Sequence, residues 1–207
     1  MKKILCLLLF VTALVACEND TVTSDPGLQA VTNNEEYSEA LKYEKWKPNH
    51  KTAYVANENV LYIMGETDST SYVMKVPYSP SLFGKTIRLG KYRKVIDDKA
   101  SNKDDAYAYY RLKNKSALNE TFAFYSTQEE DKKGNIVDMG EVSFAPESEQ
   151  IPGTITGTFY VNMLKEPLDE IQQKNYTDKQ KQEHAALRSE KIFQEGVFYR
   201  IPFSLPK

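Results

Sequence analysis

The chain has 207 residues, of which 41% are hydrophobic and 12% aromatic, and its formal net charge is −2. That length suits one domain. The balanced charge, with no basic block, excludes the cationic surface that nucleic-acid binding needs to displace counterions, so no nucleic-acid partner is expected.

The first residues form three zones. Lys2 and Lys3 give a positive start, residues 4–15 form an apolar run, and Ala16 is a small residue before Cys17. This is the layout of a secretory signal, and the run is too short to span a membrane as a helix. Leu14-Val15-Ala16-Cys17 resembles the lipobox of bacterial lipoproteins. The resemblance implies that the Cys17 thiol takes a diacylglyceryl group, that cleavage occurs just before it, and that the new amine is acylated. Residues 1–16 are then the signal peptide, and the membrane is a partner reached through lipid. Cell-envelope localisation follows as an expectation, at the outer membrane, with the periplasmic and surface faces both open. Losing Lys2 and Lys3 takes the charge from −2 to −4. Of the two cysteines, Cys6 leaves with the leader and Cys17 is consumed by lipid, so no intrachain disulfide remains. A mature chain of about 190 residues is large enough to stand on its core alone, burying roughly 70% of its unfolded surface. Two or three acyl chains make such attachment effectively permanent.

Residues 17–36 read as a lipidated flexible tether, because 18–34 is polar and lacks an apolar period. Glu18 and Asp20 resemble a loose form of the signal that exports Bacteroidota lipoproteins to the cell surface. Asp20-Thr21-Val22 and Asp68-Ser69-Thr70 are similar to the short O-glycosylation motif of Bacteroidota proteins, which implies modification at Thr21 and Ser69. Residues 35–45 are predicted as a short helix, with Asn33 or Asn34 as cap and Glu35 and Glu36 in the first turn. Trp46, the single tryptophan, follows it at the edge of the predicted sandwich.

From Thr52 the apolar period is two. Val60, Tyr62 and Met64 share a face, as do Tyr72, Met74 and Val76, with a turn between at 67–70. Residues 106–112 put Tyr107, Tyr109 and Arg111 on one side and Ala108, Tyr110 and Leu112 on the other. Further strands are predicted over 121–126, 141–145, 154–163 and 196–205. Residues 129–135 form a charged hairpin tip in which Gly134 supplies positive φ. The segment 165–191 is predicted as a helical insertion joining two neighbouring strands, with Thr177 and Gln180 as a capping box. Short strands with regular turn signals indicate an all-β fold, an antiparallel β-sandwich or flattened barrel occupying 37–207.

Trp46, the stretch Gly153-Thr154-Ile155-Thr156-Gly157-Thr158-Phe159 and the stretch Glu195-Gly196-Val197-Phe198-Tyr199-Arg200-Ile201-Pro202 resemble the recurring elements of a Bacteroidota lipoprotein domain of unknown function. The resemblance covers about residues 45–205. It implies a small all-β domain behind a lipid anchor and carries no catalytic residues. The long segment 165–191 departs from the usual strand connection.

Little here points to catalysis. His50 and His184 are the only histidines, and no Gly-x-Ser-x-Gly, His-Glu-x-x-His or phosphate loop is present. Asp97, Asp98, Asp104 and Asp105 lack the spacing of an EF-hand and read as a solvated loop, so no metal and no cofactor is expected. The binding candidates are Tyr107, Tyr109, Arg111 and Trp46, able to stack on a sugar ring or a peptide if they face solvent. The expectation is a non-enzymatic binding or scaffolding domain with an envelope protein or glycan as partner. The alternative is a carbohydrate-binding or carbohydrate-processing module.

Overall fold

The computed structural model describes residues 27–36, 39–56, 59–92, 106–114, 117–128, 134 and 138–205. Eleven strands follow in order: β1 (Gly27–Asn33), β2 (Tyr43–Trp46), β3 (His50–Ala56), β4 (Val60–Glu66), β5 (Thr70–Pro77), β6 (Thr86–Arg88), β7 (Tyr107–Asn114), β8 (Ala117–Ser126), β9 (Gly140–Phe144), β10 (Thr154–Lys165) and β11 (Glu190–Ser204). Two helices, α1 (Glu170–Asn175) and α2 (Asp178–Ala186), stand between β10 and β11. The sheet order is β2-β1-β11-β3-β4-β5-β7-β8-β10-β9-β6, and an added β10–β11 pairing closes it. The result is a ring of β11, β3, β4, β5, β7, β8 and β10, which matches the flattened-barrel form of the expected all-β fold. Strand pairs are antiparallel except at β11–β3, where Phe203 faces Ala53 and Ser204 faces Tyr54 in parallel. The β8–β10 seam is narrow, with Leu164 opposite Ser126 and Lys165 opposite Tyr125.

Period-two alternation explains the core. In β7, Ala108, Tyr110 and Leu112 point inward, and in β1 Leu28, Ala30 and Thr32 do the same. The barrel centre is aromatic. Phe193 packs on Trp46 at 5.1 Å and on Tyr72 at 5.0 Å between ring centroids, and Tyr72 stacks on Phe159 at 5.6 Å. Two glycines of the family-like stretches have a packing reason. A Cβ at Gly157 would meet the Phe198 ring and the Ser143 carbonyl, and one at Gly196 would meet the Phe159 ring. Both lie on the long β10–β11 pair, where register shifts mark bulges.

Two expectations are corrected. The expected tether over 17–36 ends sooner, because Gly27–Asn33 is β1, a strand paired with β11 and β2. Its apolar side, Leu28 and Ala30, is only two residues wide in sequence, and β11 lies over 150 residues away, so the burial that makes it a strand is not local. The helix expected over 35–45 is also absent among the described residues. Tyr43–Trp46 is β2, and Asn34 shapes the loop before it by accepting from Lys42 N at 3.1 Å and donating to Ala40 O at 3.2 Å. Leu41 and Tyr43 stay exposed, so a helix there has no apolar face to bury. The helical insertion is present where expected, and Thr177 with Gln180 forms its capping box. A second box, Asp169 with Gln172, opens α1. The 67–70 turn closes with Thr67 N donating to Thr70 O at 3.0 Å, and Gly134 has φ +79. The aspartates 97, 98, 104 and 105 lie outside the described residues.

Candidate functional site

The structure separates the four predicted binding side chains. Trp46 is 7% exposed and belongs to the core, so it offers no surface platform. Tyr107, Tyr109 and Arg111 do face outward from β7, but as a packed second layer. Tyr107 is 5% exposed, with the Lys75 ammonium 5.0 Å from its ring centroid and the Tyr92 ring edge-on at 5.1 Å. Tyr109 stacks on Phe124 at 5.4 Å, and Arg111 Nη2 donates to Ser71 Oγ at 3.3 Å. Burial pushes the phenols of Tyr62, Tyr92 and Tyr109 above their ordinary value. The open part of this face is Tyr54, 37% exposed and stacked on Tyr62 at 5.2 Å. Cys17 and Thr21 lie outside the described residues. Ser69 is exposed in the 67–70 turn. His184 is buried on α2 with its ring 6.1 Å from Phe122, while His50 is exposed at the start of β3.

A cavity of about 480 Å³ opens at the barrel end formed by the C-terminal end of β1 and the start of β11. Its best-defined feature is a charged group at the wall. Lys191 on β11 is 2% exposed, and its Nζ donates to Asn33 O at 2.6 Å and stands 3.4 Å from Glu35 Oε1. Tyr110 donates its hydroxyl to the same carboxylate oxygen at 2.7 Å, and the Lys191 ammonium lies 5.1 Å from the Tyr110 ring. Burial pulls the Lys191 ammonium below its ordinary value, and the Glu35 charge opposes that shift. Burial, then Glu35, pushes the Tyr110 phenol well up.

Asparagine side chains hold the surrounding frame. Asn33 Nδ2 donates to Glu190 O at 2.9 Å and its Oδ1 accepts from Ile192 N at 2.8 Å. Arg188 Nη2 donates to Glu39 O at 2.7 Å and its Nε to Asn34 Oδ1 at 3.2 Å, which ties the 34–42 loop to the segment after α2. The cavity was not among the predicted sites. Its one local signal is Lys191, a lysine in step with the inward-facing Phe193. Among the described residues, no group of three or more His, Cys, Asp or Glu side chains is arranged to hold a metal ion.

Residues 25–202 match the family model described as Domain of unknown function (DUF6252). The chain belongs to that family. The DUF6252 match begins two residues before β1 and ends within β11, so it takes in both capping-box helices and all strands but the last two residues of β11, Phe203 and Ser204, which pair with β3. It reaches about 20 residues further toward the N-terminus than the resemblance read from the motifs, because β1 belongs to the domain. No curated protein and no solved structure matches the chain. No helix among the described residues is long and apolar enough to cross a membrane.

Proposed function

We propose that this DUF6252 chain is a lipid-anchored cell-envelope protein, of the kind made by Bacteroidota, whose barrel is a non-enzymatic binding or scaffolding domain. The observation that carries this reading is Leu14-Val15-Ala16-Cys17 closing a complete leader. The fold is compatible with it in a specific way. Gly27 pairs with Tyr199, while Asn33 lies against Glu190 and Ile192, so β1 runs about 20 Å from one end of the barrel toward the other. Gly27 lies at the end of the barrel remote from the cavity, so a membrane held on that side leaves the cavity facing outward. Metabolic labelling with a palmitate analogue tests the anchor. The parent should be labelled and the Cys17→Ser form should not; an unlabelled parent, or a variant processed and retained like the parent, overturns it.

A carbohydrate-binding or carbohydrate-processing module is the second reading, favoured by the exposed Tyr54 ring stacked on Tyr62 beside the half-buried Tyr109 and Arg111. A glycan array with a hydrolase substrate screen separates the two, and turnover of any glycan would replace the first reading. Ser69 sits exposed at the cavity rim, where a glycan of the kind implied for Thr21 and Ser69 has room. The intact mass of the mature protein from its native host reads this directly, since a mass explained by lipid alone rejects it.

A further inference from the structure

Glu195 sits in β11 with φ +50, in the left-handed region that favours glycine. Neither neighbouring strand sets a residue opposite it. Against β1 the register passes from Val197 to Gln194, and against β10 from Gly196 to Phe193. Such a bulge aims a side chain where a regular ladder does not. The Glu195 side chain is exposed and lines a second cavity, of about 340 Å³, on the outer face of β9, β10 and β11. Strained positions of this kind cluster at ligand sites, where the side chain is kept for what it meets.

The lining decides what fits. Glu141 on β9 joins Glu195, so two carboxylates border the cavity, and Ser143 and Thr158 add hydroxyls. Among the described residues, neither glutamate side chain accepts a hydrogen bond or pairs with a cation. The Tyr160 ring, 37% exposed, and Val197 supply apolar surface beside them. Tyr160 is held in place, since its hydroxyl donates to Asp138 Oδ2 at 2.6 Å while Gly140 N donates to Asp138 Oδ1 at 3.1 Å. Arg88 on β6 stands opposite Glu141 in register, and a fixed cation there disfavours a cationic guest. Ionised carboxylates only accept, so the guest must bring several donors, and the ring asks for an apolar face to lie on it. A pyranose ring has both, hydroxyl donors around its rim and C–H groups on its face. The volume is near the small end of the about 300–1,000 Å³ usual for small-ligand sites, which suits a short stretch of glycan.

We propose that this cavity binds a neutral glycan, with a pyranose ring laid on Tyr160 and its hydroxyls donating to Glu141 and Glu195. This deepens the carbohydrate-binding reading and rests on it, at a face other than that of Tyr54. The test uses the full-length chain in a detergent without a sugar headgroup and fluorescence polarisation with labelled neutral tetrasaccharides of glucose, mannose, galactose and xylose. A uronic-acid tetrasaccharide and spermine are compared with them. At least one neutral glycan should bind, at least about tenfold more tightly than the uronate or spermine. Glu195→Gly should weaken that binding by about tenfold while the thermal midpoint holds or rises, because glycine relieves the positive φ. A merely structural residue does not join lost binding to kept or improved stability. Tyr160→Ala should weaken binding by a similar factor. Full affinity in either variant overturns the site. If Tyr54→Ala abolishes binding and Glu195→Gly does not, the glycan belongs to the β3–β4 face, and the proposal falls while the carbohydrate reading stands. Preference for the uronate does the same. Tighter binding of spermine overturns the proposal in favour of a cation site, and absence of binding by every glycan removes both the site and the carbohydrate reading.

Discussion

Tyr72 shows how much a single buried atom can matter. Its side chain is fully buried, packed on Trp46, Phe159 and Phe193, and its hydroxyl has no hydrogen-bond partner among the described residues. An unpaired buried hydroxyl costs about 1–3 kcal/mol of desolvation. Tyr72→Phe keeps the ring contacts and removes that cost, so urea unfolding should show equal or greater stability, by up to about 1–2 kcal/mol. A loss above about 1 kcal/mol would mean that the hydroxyl has a partner after all. Gly157 makes the opposite case. Its missing Cβ is what lets β10 approach Phe198 and Ser143. Gly157→Ala should therefore destabilise by about 1–3 kcal/mol, the usual cost of forcing atoms into a packed core, and the same unfolding curves measure it. Lys191 was legible only in hindsight. Its step with Phe193 marks an inward lysine, but the oxygens that meet it, from Asn33 and Glu35, are more than 150 residues away in sequence.

At the scale of elements, local chemistry and long-range pairing part company. The helical insertion was readable because its signals are local. Thr177 and Gln180 exchange side-chain and backbone bonds within one turn, as do Asp169 and Gln172. Neither helix carries much of the core, since α1 has no buried residue and α2 only His184. Removing both caps with Asp169→Ala and Thr177→Ala should thus cost about 1 kcal/mol each at the helices. Hydrogen exchange should quicken over 170–186 and hold steady over β7 and β11; uniform loss of protection would show the insertion to be part of the global folding unit. β1 and β2 are the reverse case. Their strand character comes from β11, and the helical spacing read over 35–45 has no buried face to act on.

For the whole molecule, the tyrosine-rich core sets a direction for alkaline stability. Burial pushes the phenols of Tyr72, Tyr110 and Tyr125 above the ordinary 10.0. Below that value both states hold these protons. Above it the unfolded chain releases them while the folded barrel keeps them, so the folded state binds more protons and stability falls as pH rises. Lys191 acts in the other sense. Its folded value lies below 10.5, so between the two the unfolded chain binds more protons and stability rises with pH. The melting temperature should hold or climb slightly toward pH ~10 and then fall. Tyr125→Phe should make the fall shallower, and an unchanged slope would show that the buried phenol does not contribute.

Much of this architecture is written in local pattern. Period-two alternation marks β4, β5, β7, β10 and β11, the 67–70 turn follows from its residues, and the capping residues announce α2. The sequence by itself also carries the expectations of a leader, of lipid at Cys17 and of no intrachain disulfide, because each is read from neighbours in the chain or from a count. Only the tertiary structure decided which tyrosines are inside. Alternation puts Tyr107 and Tyr110 on opposite faces without saying which is inner; Tyr107 packs in an outer layer under Tyr92, and Tyr110 closes on Glu35 at the cavity wall. It also decided that the ring closes through β10 and β11, that a short polar stretch becomes β1, and that Glu35 meets Lys191. Those outcomes depend on burial and pairing between segments far apart in the chain, and one-dimensional periodicity carries no record of which distant strand will supply the partner.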